Sequence, residues 1–185
     1  MIGDVSGKGV PASLFMSIVT DEFGFFAKPD VKPEDAIFEL NSALIKKASS
    51  GLYVTMFYAI FDMGSRVMSY ANGGHLPVIL SSPGKGLKML NAEGGLPPGM
   101  MESSYGGGSE AFAGGDVFVF YTDGVTEATR PDGSMYCEER LRAVVDKNRD
   151  LPPKALLDAI EKDIRRFEPK KTQHDDITLM IVKVE

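Results

Sequence analysis

The stretch Tyr53-Val-Thr-Met-Phe-Tyr-Ala-Ile-Phe61 carries β-branched and aromatic side chains on both parities. A strand apolar on both faces must be covered on both, so a single sheet with one wet face is ruled out and a layered fold is required. Val117-Phe-Val-Phe-Tyr121 repeats the pattern in its most apolar form, and Ile177 to Val184 closes the chain as a strand expected deep in a sheet. Between these lie shorter segments. Asp62-Met-Gly-Ser65 turns the first strand into Arg66–Ala71, Asn72-Gly-Gly-His75 is a tight loop, and Leu76–Leu80 and Leu87–Leu90 flank the turn Ser82-Pro-Gly-Lys-Gly86. The spacing predicts four strands in a meander. A short strand is expected from Ser109 to Ala113, after a glycine- and proline-rich surface loop over residues 91–109 whose composition favours functional mobility.

Four helices complete the layers. The first is expected from Pro11 to about Ala27, with Leu14, Ile18, Val19, Phe23 and Phe26 inward. The second starts at Pro33, buries Ile37, Leu40, Leu44, Ile45 and Ala48, stops at Gly51, and lies antiparallel to the first. The third spans about Glu138–Lys147. The fourth runs from Pro153 to Phe167, with Ala155, Leu156, Ala159, Ile160, Ile164 and Phe167 inward. With no repeat or linker in 185 residues, the chain is expected to be one domain, residues 1–185, of the α+β class with packed sheets and outer helices.

Composition narrows the function. Apolar residues at 43% against 25% charged describe an ordinary globular chain. A net charge of −6 without a basic stretch argues against nucleic acid as partner. Cys137 is the single cysteine, so an internal disulfide is excluded and a reducing, cytoplasmic setting is expected. No apolar run approaches the roughly 20 residues that span a bilayer, so no membrane contact is expected.

Three acidic clusters remain. Asp4 lies in Met1-Ile-Gly-Asp-Val-Ser-Gly-Lys-Gly-Val10, Asp123 in Tyr121-Thr-Asp-Gly124, and Asp175 with Asp176 in His174-Asp-Asp-Ile-Thr178. Each stands where an apolar strand meets a loop. Aspartate beside glycine is ordinarily turn chemistry, yet three such junctions fit the all-oxygen shells of Mg²⁺ or Mn²⁺. Gly3 to Gly9 departs from a phosphate-binding P-loop, having three residues between glycines instead of four and Gly9 where Ser or Thr follows the lysine. His75 reads as a turn histidine bonded to backbone, His174 as either an outer support of the acidic pair or simply exposed, and Cys137 as lacking the electropositive neighbours a nucleophile needs.

Taken together, Gly3-Asp-Val-Ser-Gly-Lys-Gly-Val-Pro-Ala-Ser13, Asn72-Gly-Gly-His75, Gly115-Asp116, Tyr121-Thr-Asp-Gly-Val-Thr-Glu-Ala128 and Asp175-Asp-Ile-Thr178 resemble the signature blocks of the SpoIIE-type serine/threonine phosphatases, the bacterial branch of the metal-dependent PPM family. The resemblance implies an αββα sandwich, two Mn²⁺ or Mg²⁺ ions, and phosphoserine or phosphothreonine on a regulatory protein of the anti-anti-sigma type as substrate. It implies that Asp4 bridges the ions, that the Val5 carbonyl ligates one, that Asp123 and Asp175 complete the other, and that a metal-bridging hydroxide attacks phosphorus. Ser6 and Lys8 are the expected substrate contacts. Ser6 stands where eukaryotic relatives carry histidine. Members of that family begin earlier, with strands bearing a Gly-Gly-Asp-type block, so the stretch is expected to lack the first strands and to expose a sheet edge through which it forms a homodimer. Two rival expectations are a catalytically impaired phosphatase-like binding module and, more remotely, a nucleotide-binding domain using the Gly7-Lys-Gly9 turn.

Overall fold

The computed structural model describes residues 1–47, 51–168 and 176–185. They form two compact units, residues 1–75 with 91–112 and residues 76–90 with 113–185.

The first unit holds a four-stranded antiparallel sheet in the order β1 (Ile2–Val5), β2 (Val54–Asp62), β3 (Val67–Gly73), β6 (Gly107–Ala111). Helices α1 (Val10–Phe26) and α2 (Pro33–Lys47) share one apolar cluster with it, in which Phe15, Val19, Ile37, Leu40 and Leu44 meet Val54, Met56 and Ala71. Of the expected α2 stripe, Ile37, Leu40 and Leu44 are buried and Ile45 is half-buried, while Ala48 and the end of the helix fall outside the described residues. The face expected for α1 is wrong in part. Leu14 and Ile18 are 62% and 39% exposed, while Phe15 is buried with Val19. This helix carries two apolar stripes, and Phe15, Val19, Phe23 and Phe26 keep the helical spacing as well as the stripe through Leu14 and Ile18 does.

The segment between β5 (Gly86–Leu90) and β6 was expected to be a mobile loop, and it is instead pinned along its length. Buried Asn41 of α2 accepts from the Gly99 N–H at 2.8 Å and donates to the Met101 carbonyl at 3.0 Å. The Val54 N–H donates to the Pro98 carbonyl, and the Gly106 N–H to that of Glu93. Tyr105 donates its hydroxyl proton to the Leu96 carbonyl, and burial pushes its phenol up to about 12. Gly73 forms a bridge with Gly95, and a Cβ on Gly73 would come within 2.9 Å of Pro98. The backbone polar groups of this irregular segment find partners inside the fold, so its composition did not make it loose.

The second unit holds the sheet β5, β4 (Val78–Ser82), β7 (Val117–Tyr121), β8 (Leu179–Lys183), again antiparallel throughout. The meander therefore breaks. β2 and β3 pair in one sheet and β4 and β5 in the other, because the chain leaves the first sheet at Gly73. The last strand, expected deep, is an edge strand bonded to β7, and all five of its residues are half-buried. β7 carries the burial instead, with every residue buried between β4 and β8.

Helices α4 (Cys137–Asn148) and α5 (Pro153–Phe167) pack Leu141, Val145, Leu156, Ile160 and Ile164 against Ile79, Val117, Val119 and Tyr121. Lys183 of β8 donates to the carbonyls of Arg149, Asp150 and Leu151, satisfying acceptors just past the end of α4. Asp163 of α5 takes a bidentate pair from Arg140, at 2.7 and 3.0 Å, and a 2.8 Å bond from the Tyr136 hydroxyl. The Arg140 guanidinium holds its carboxyl below the usual range against the opposing effect of burial. Among the described residues no helix is long and apolar enough to cross a membrane.

Candidate functional site

Asp4 and Val5 end β1, the edge strand of their sheet, and the turn after them is set by glycines. Gly7 and Gly9 have φ of 85° and 77°, a region that favours glycine. Gly9 then caps α1, where the Ser13 N–H donates to its carbonyl, and Pro11 occupies the first turn. Register pairs Asp4 with Thr55 and Val5 with Val54. Gly3 is required for that approach, since a Cβ there would lie 2.7 Å from the Thr55 carbonyl oxygen.

Ser6, the expected substrate contact, is bonded to the neighbouring strand. Its N–H donates to the Tyr53 carbonyl and its hydroxyl oxygen accepts from the Tyr53 N–H, both at 2.9 Å, which extends the β1–β2 ladder past its last pair. Lys8 is exposed in the turn.

A polar network that the sequence reading missed stands behind this strand. Thr55 Oγ1 is 3.0 Å from His75 Nδ1 and 3.4 Å from the Asp4 carbonyl oxygen. His75 is buried. The expected backbone bonding is present, with the His75 N–H donating to Asn72 Oδ1 at 2.7 Å and Asn72 Nδ2 donating to the His75 carbonyl at 2.8 Å. Asn72 Nδ2 also reaches Asn91 Oδ1 at 2.6 Å. The spacing of Asn72 and His75 predicts a turn of this kind. No local pattern identifies Thr55 as its partner, because that depends on strand register.

In the second unit, Asp123 opens the four-residue helix α3 (Asp123–Thr126) at the end of β7. Its Oδ1 is buried with no hydrogen-bond partner among the described residues. Thr122, buried beside it, binds the start of the last strand. Its hydroxyl donates to the Asp176 carbonyl at 3.0 Å and accepts from the Thr178 N–H at 3.0 Å, while its own N–H donates to the Thr178 carbonyl. The second and third acidic clusters are thereby held side by side through Thr122, which sequence reading passed over as an ordinary threonine. Asp175 and His174 lie outside the described residues. Asp176 is exposed, and it is its backbone carbonyl that Thr122 engages. Asp116, within another of the motifs, has a turn-closing role, its Oδ2 accepting from the Ala113 N–H at 2.8 Å.

No group of three His, Cys, Asp or Glu side chains poised for a metal occurs among the described residues. The donors present nevertheless fit a hard dication. Carboxylates and a carbonyl are the ligands Mg²⁺ and Mn²⁺ take, and the buried Asp123 Oδ1, without a hydrogen bond among the described residues, has the chemistry to accept a cation.

The fold is that of the PP2C-type phosphatase domains. The SiaA PP2C domain of Pseudomonas aeruginosa superposes with a TM-score of 0.83 at 18% identity, covering 99% of this chain and 73% of that one. The PP2C phosphatase domain of SpoIIE from Bacillus subtilis, in a chain that also holds a fragment of the regulatory domain, gives 0.79 at 21% identity over 98% of this chain and 53% of that one. RsbX in complex with magnesium gives 0.68 at 20% over 99% and 79%. The family model of Stage II sporulation protein E (SpoIIE) matches residues 1–185, and the chain belongs to that family. Phosphoserine phosphatase RsbU of Bacillus subtilis (strain 168) is 25% identical over 183 residues, which cover 98% of this chain and 54% of the relative. Protein IcfG of Synechocystis is also 25% identical, over 98% of this chain and 33% of its own length. The chain thus spans about half, or less, of the curated relatives it matches.

Proposed function

We propose that residues 1–185 form one PPM-type phosphatase domain that hydrolyses phosphoserine or phosphothreonine on a regulatory protein, in a cytoplasmic setting. The observation that carries the reading is the buried Oδ1 of Asp123, without a hydrogen bond among the described residues, standing in a chain that belongs to the SpoIIE family. The likeness to RsbU, named a phosphoserine phosphatase, supports the reaction class, and the magnesium complex of RsbX supports the choice of a hard dication.

Asp4, the Val5 carbonyl, Asp123 and Asp175 are the proposed ligands of two Mn²⁺ or Mg²⁺ ions. The chemistry supplied by those ions when bound would be Lewis-acid activation of water and neutralisation of phosphoryl charge. This chain's own residues do the positioning. The β1–β2 ladder fixes the backbone that carries the Asp4 carboxylate and the Val5 carbonyl, with Ser6 extending the ladder beyond them. Thr122, which precedes Asp123, binds the Asp176 carbonyl and the Thr178 N–H through its hydroxyl. Lys8, exposed in the turn after β1, is the proposed phosphate contact, and the Ser6 hydroxyl proton remains available for a second.

The test is release of phosphate from a phosphoserine peptide with Mn²⁺ added. Turnover is expected with metal, and its loss with EDTA and in Asp123→Ala. Equal turnover in all three samples would overturn the reading. Self-association belongs to the same proposal, because β1 ends its sheet and pairs with β2 alone among the described strands. Light scattering at high concentration is expected to give twice the mass of the chain, and a monodisperse monomer would rule the dimer out.

A further inference from the structure

We infer that His75 and Thr55 are positioning residues for the metal-bearing end of β1, acting as a two-membered support behind Asp4. The inference rests on the metal-dependent reading above and adds residues to it.

Cross-strand partners in an antiparallel sheet project to the same face with their Cβ atoms about 5 Å apart. Asp4 and Thr55 are such partners, so the Thr55 hydroxyl stands beside the Asp4 side chain and shares its face. Within the strand pair, Thr55 Oγ1 lies 3.4 Å from the Asp4 carbonyl oxygen, a long contact that it makes as donor. That carbonyl belongs to the peptide joining Asp4 to Val5. Holding this peptide fixes the backbone between the two proposed ligand residues, while the Val5 carbonyl lies in the following peptide, whose Ser6 N–H donates to the Tyr53 carbonyl.

The long contact alone would leave the Thr55 rotamer free to change. His75 prevents this. Its Nδ1 is 3.0 Å from the same hydroxyl, and the ring is buried, so a rotated Thr55 would forfeit a bond inside the protein. Thr55 has a single proton. With that proton directed at the Asp4 carbonyl, His75 must carry its own on Nδ1 and donate it to Thr55 Oγ1.

The histidine is in turn fixed at its backbone by both functional groups of Asn72, and Asn72 is fixed by Asn91. Close packing of the preceding glycine backs the turn, since a Cβ on Gly74 would lie 2.7 Å from Pro97. The chain of support runs from Asn91 through Asn72, His75 and Thr55 to the peptide of Asp4. Outer groups of this kind orient ligands, and their loss typically weakens metal binding by about 10- to 100-fold.

The experiment uses the 185-residue chain with Thr55→Val, which keeps the side-chain volume and removes the hydroxyl. Thr55→Ser keeps the hydroxyl, and Asp123→Ala serves as a ligand control. Mn²⁺ binding is measured by calorimetry, and folding by thermal denaturation without metal. Thr55→Val is expected to raise the Mn²⁺ dissociation constant by about 10- to 100-fold, and Thr55→Ser to restore it. His75→Gln is expected to weaken binding in the same direction while the protein stays folded.

Parent-like affinity in Thr55→Val would overturn the inference, as would equal weakening in the valine and serine variants, which would place the effect in packing. If the parent chain binds Mn²⁺ no better than Asp123→Ala does, the metal-dependent reading fails and the inference falls with it. Parent binding that Asp123→Ala abolishes and Thr55→Val leaves intact would sink the inference alone.

Discussion

Asp4→Asn is expected to lower kcat for phosphoserine-peptide hydrolysis by about 10³-fold or more while leaving the melting temperature of the metal-free chain nearly unchanged. The two halves of this expectation have separate causes. Charge stabilisation by a dication at a phosphoryl centre is worth several kcal/mol, and each 1.36 kcal/mol is a factor of about ten in rate. Removing one carboxylate charge from the proposed ligand set would forfeit much of it. Asparagine has the same shape, and the pairing of residue 4 with Thr55 is made by backbone, so the strand survives. Asp176→Asn is the comparator. That side chain is exposed and the fixed group there is the backbone carbonyl, so its kcat is expected within about threefold of the parent, a loss under 1 kcal/mol. Stopped assays with saturating Mn²⁺ measure both. If Asp4→Asn keeps its rate within tenfold of the parent, Asp4 is not a ligand.

Asp4 and Asp123 could be proposed as ligands from the sequence because their signal is local. A carboxylate at the junction of an apolar strand and a glycine turn is visible in a few consecutive letters, as at Asp4 and Asp123. Their supports were not legible. Thr55 and Thr122 are β-branched residues in or beside strands, where threonine is ordinary, and their importance comes from what register and turn geometry set opposite their hydroxyls. Ser6 is the converse case: its place in the motif suggests a substrate role, and the structure adds a bond that no local pattern shows, its oxygen accepting from the Tyr53 N–H.

The fold divides along the same line. Helix α5 runs from Pro153 to Phe167 as expected, because proline marks the start and Leu156, Ile160, Ile164 and Phe167 repeat at helical steps. The allocation of strands to two sheets was invisible, since the step from β3 to β4 is a choice of distant partners and the Asn72–His75 turn is compatible with a hairpin. The edge position of β8 was hidden for a related reason. Its apolar composition signals covered faces, but the free side of an edge strand lies in the plane of the sheet, where composition does not report.

Leu156→Ala is expected to cost about 2–5 kcal/mol, and more than loss of the strongest-looking ion pair in the same unit. Leu156 is fully buried between α4, α5 and the sheet, so truncation removes apolar contacts and leaves a cavity that helices and strands cannot jointly close. Asp163 has a bidentate arginine and a tyrosine hydroxyl, yet Arg140 is 38% exposed and water screens the pair. Asp163→Asn is therefore expected to cost about 1–2 kcal/mol at pH 7. Acid separates the two effects. The Asp163 carboxyl has a depressed pKa in the fold, so its contribution is complete above the unfolded value near 3.9 and is lost as pH falls through the lower folded value. Urea denaturation at pH 7 and about pH 3 is expected to show the Asp163→Asn deficit shrinking and the Leu156→Ala deficit holding. A larger deficit for Asp163→Asn at pH 7 would reverse the ranking, and would mean that the Arg140 network, and not the apolar layer beneath α5, holds this unit together.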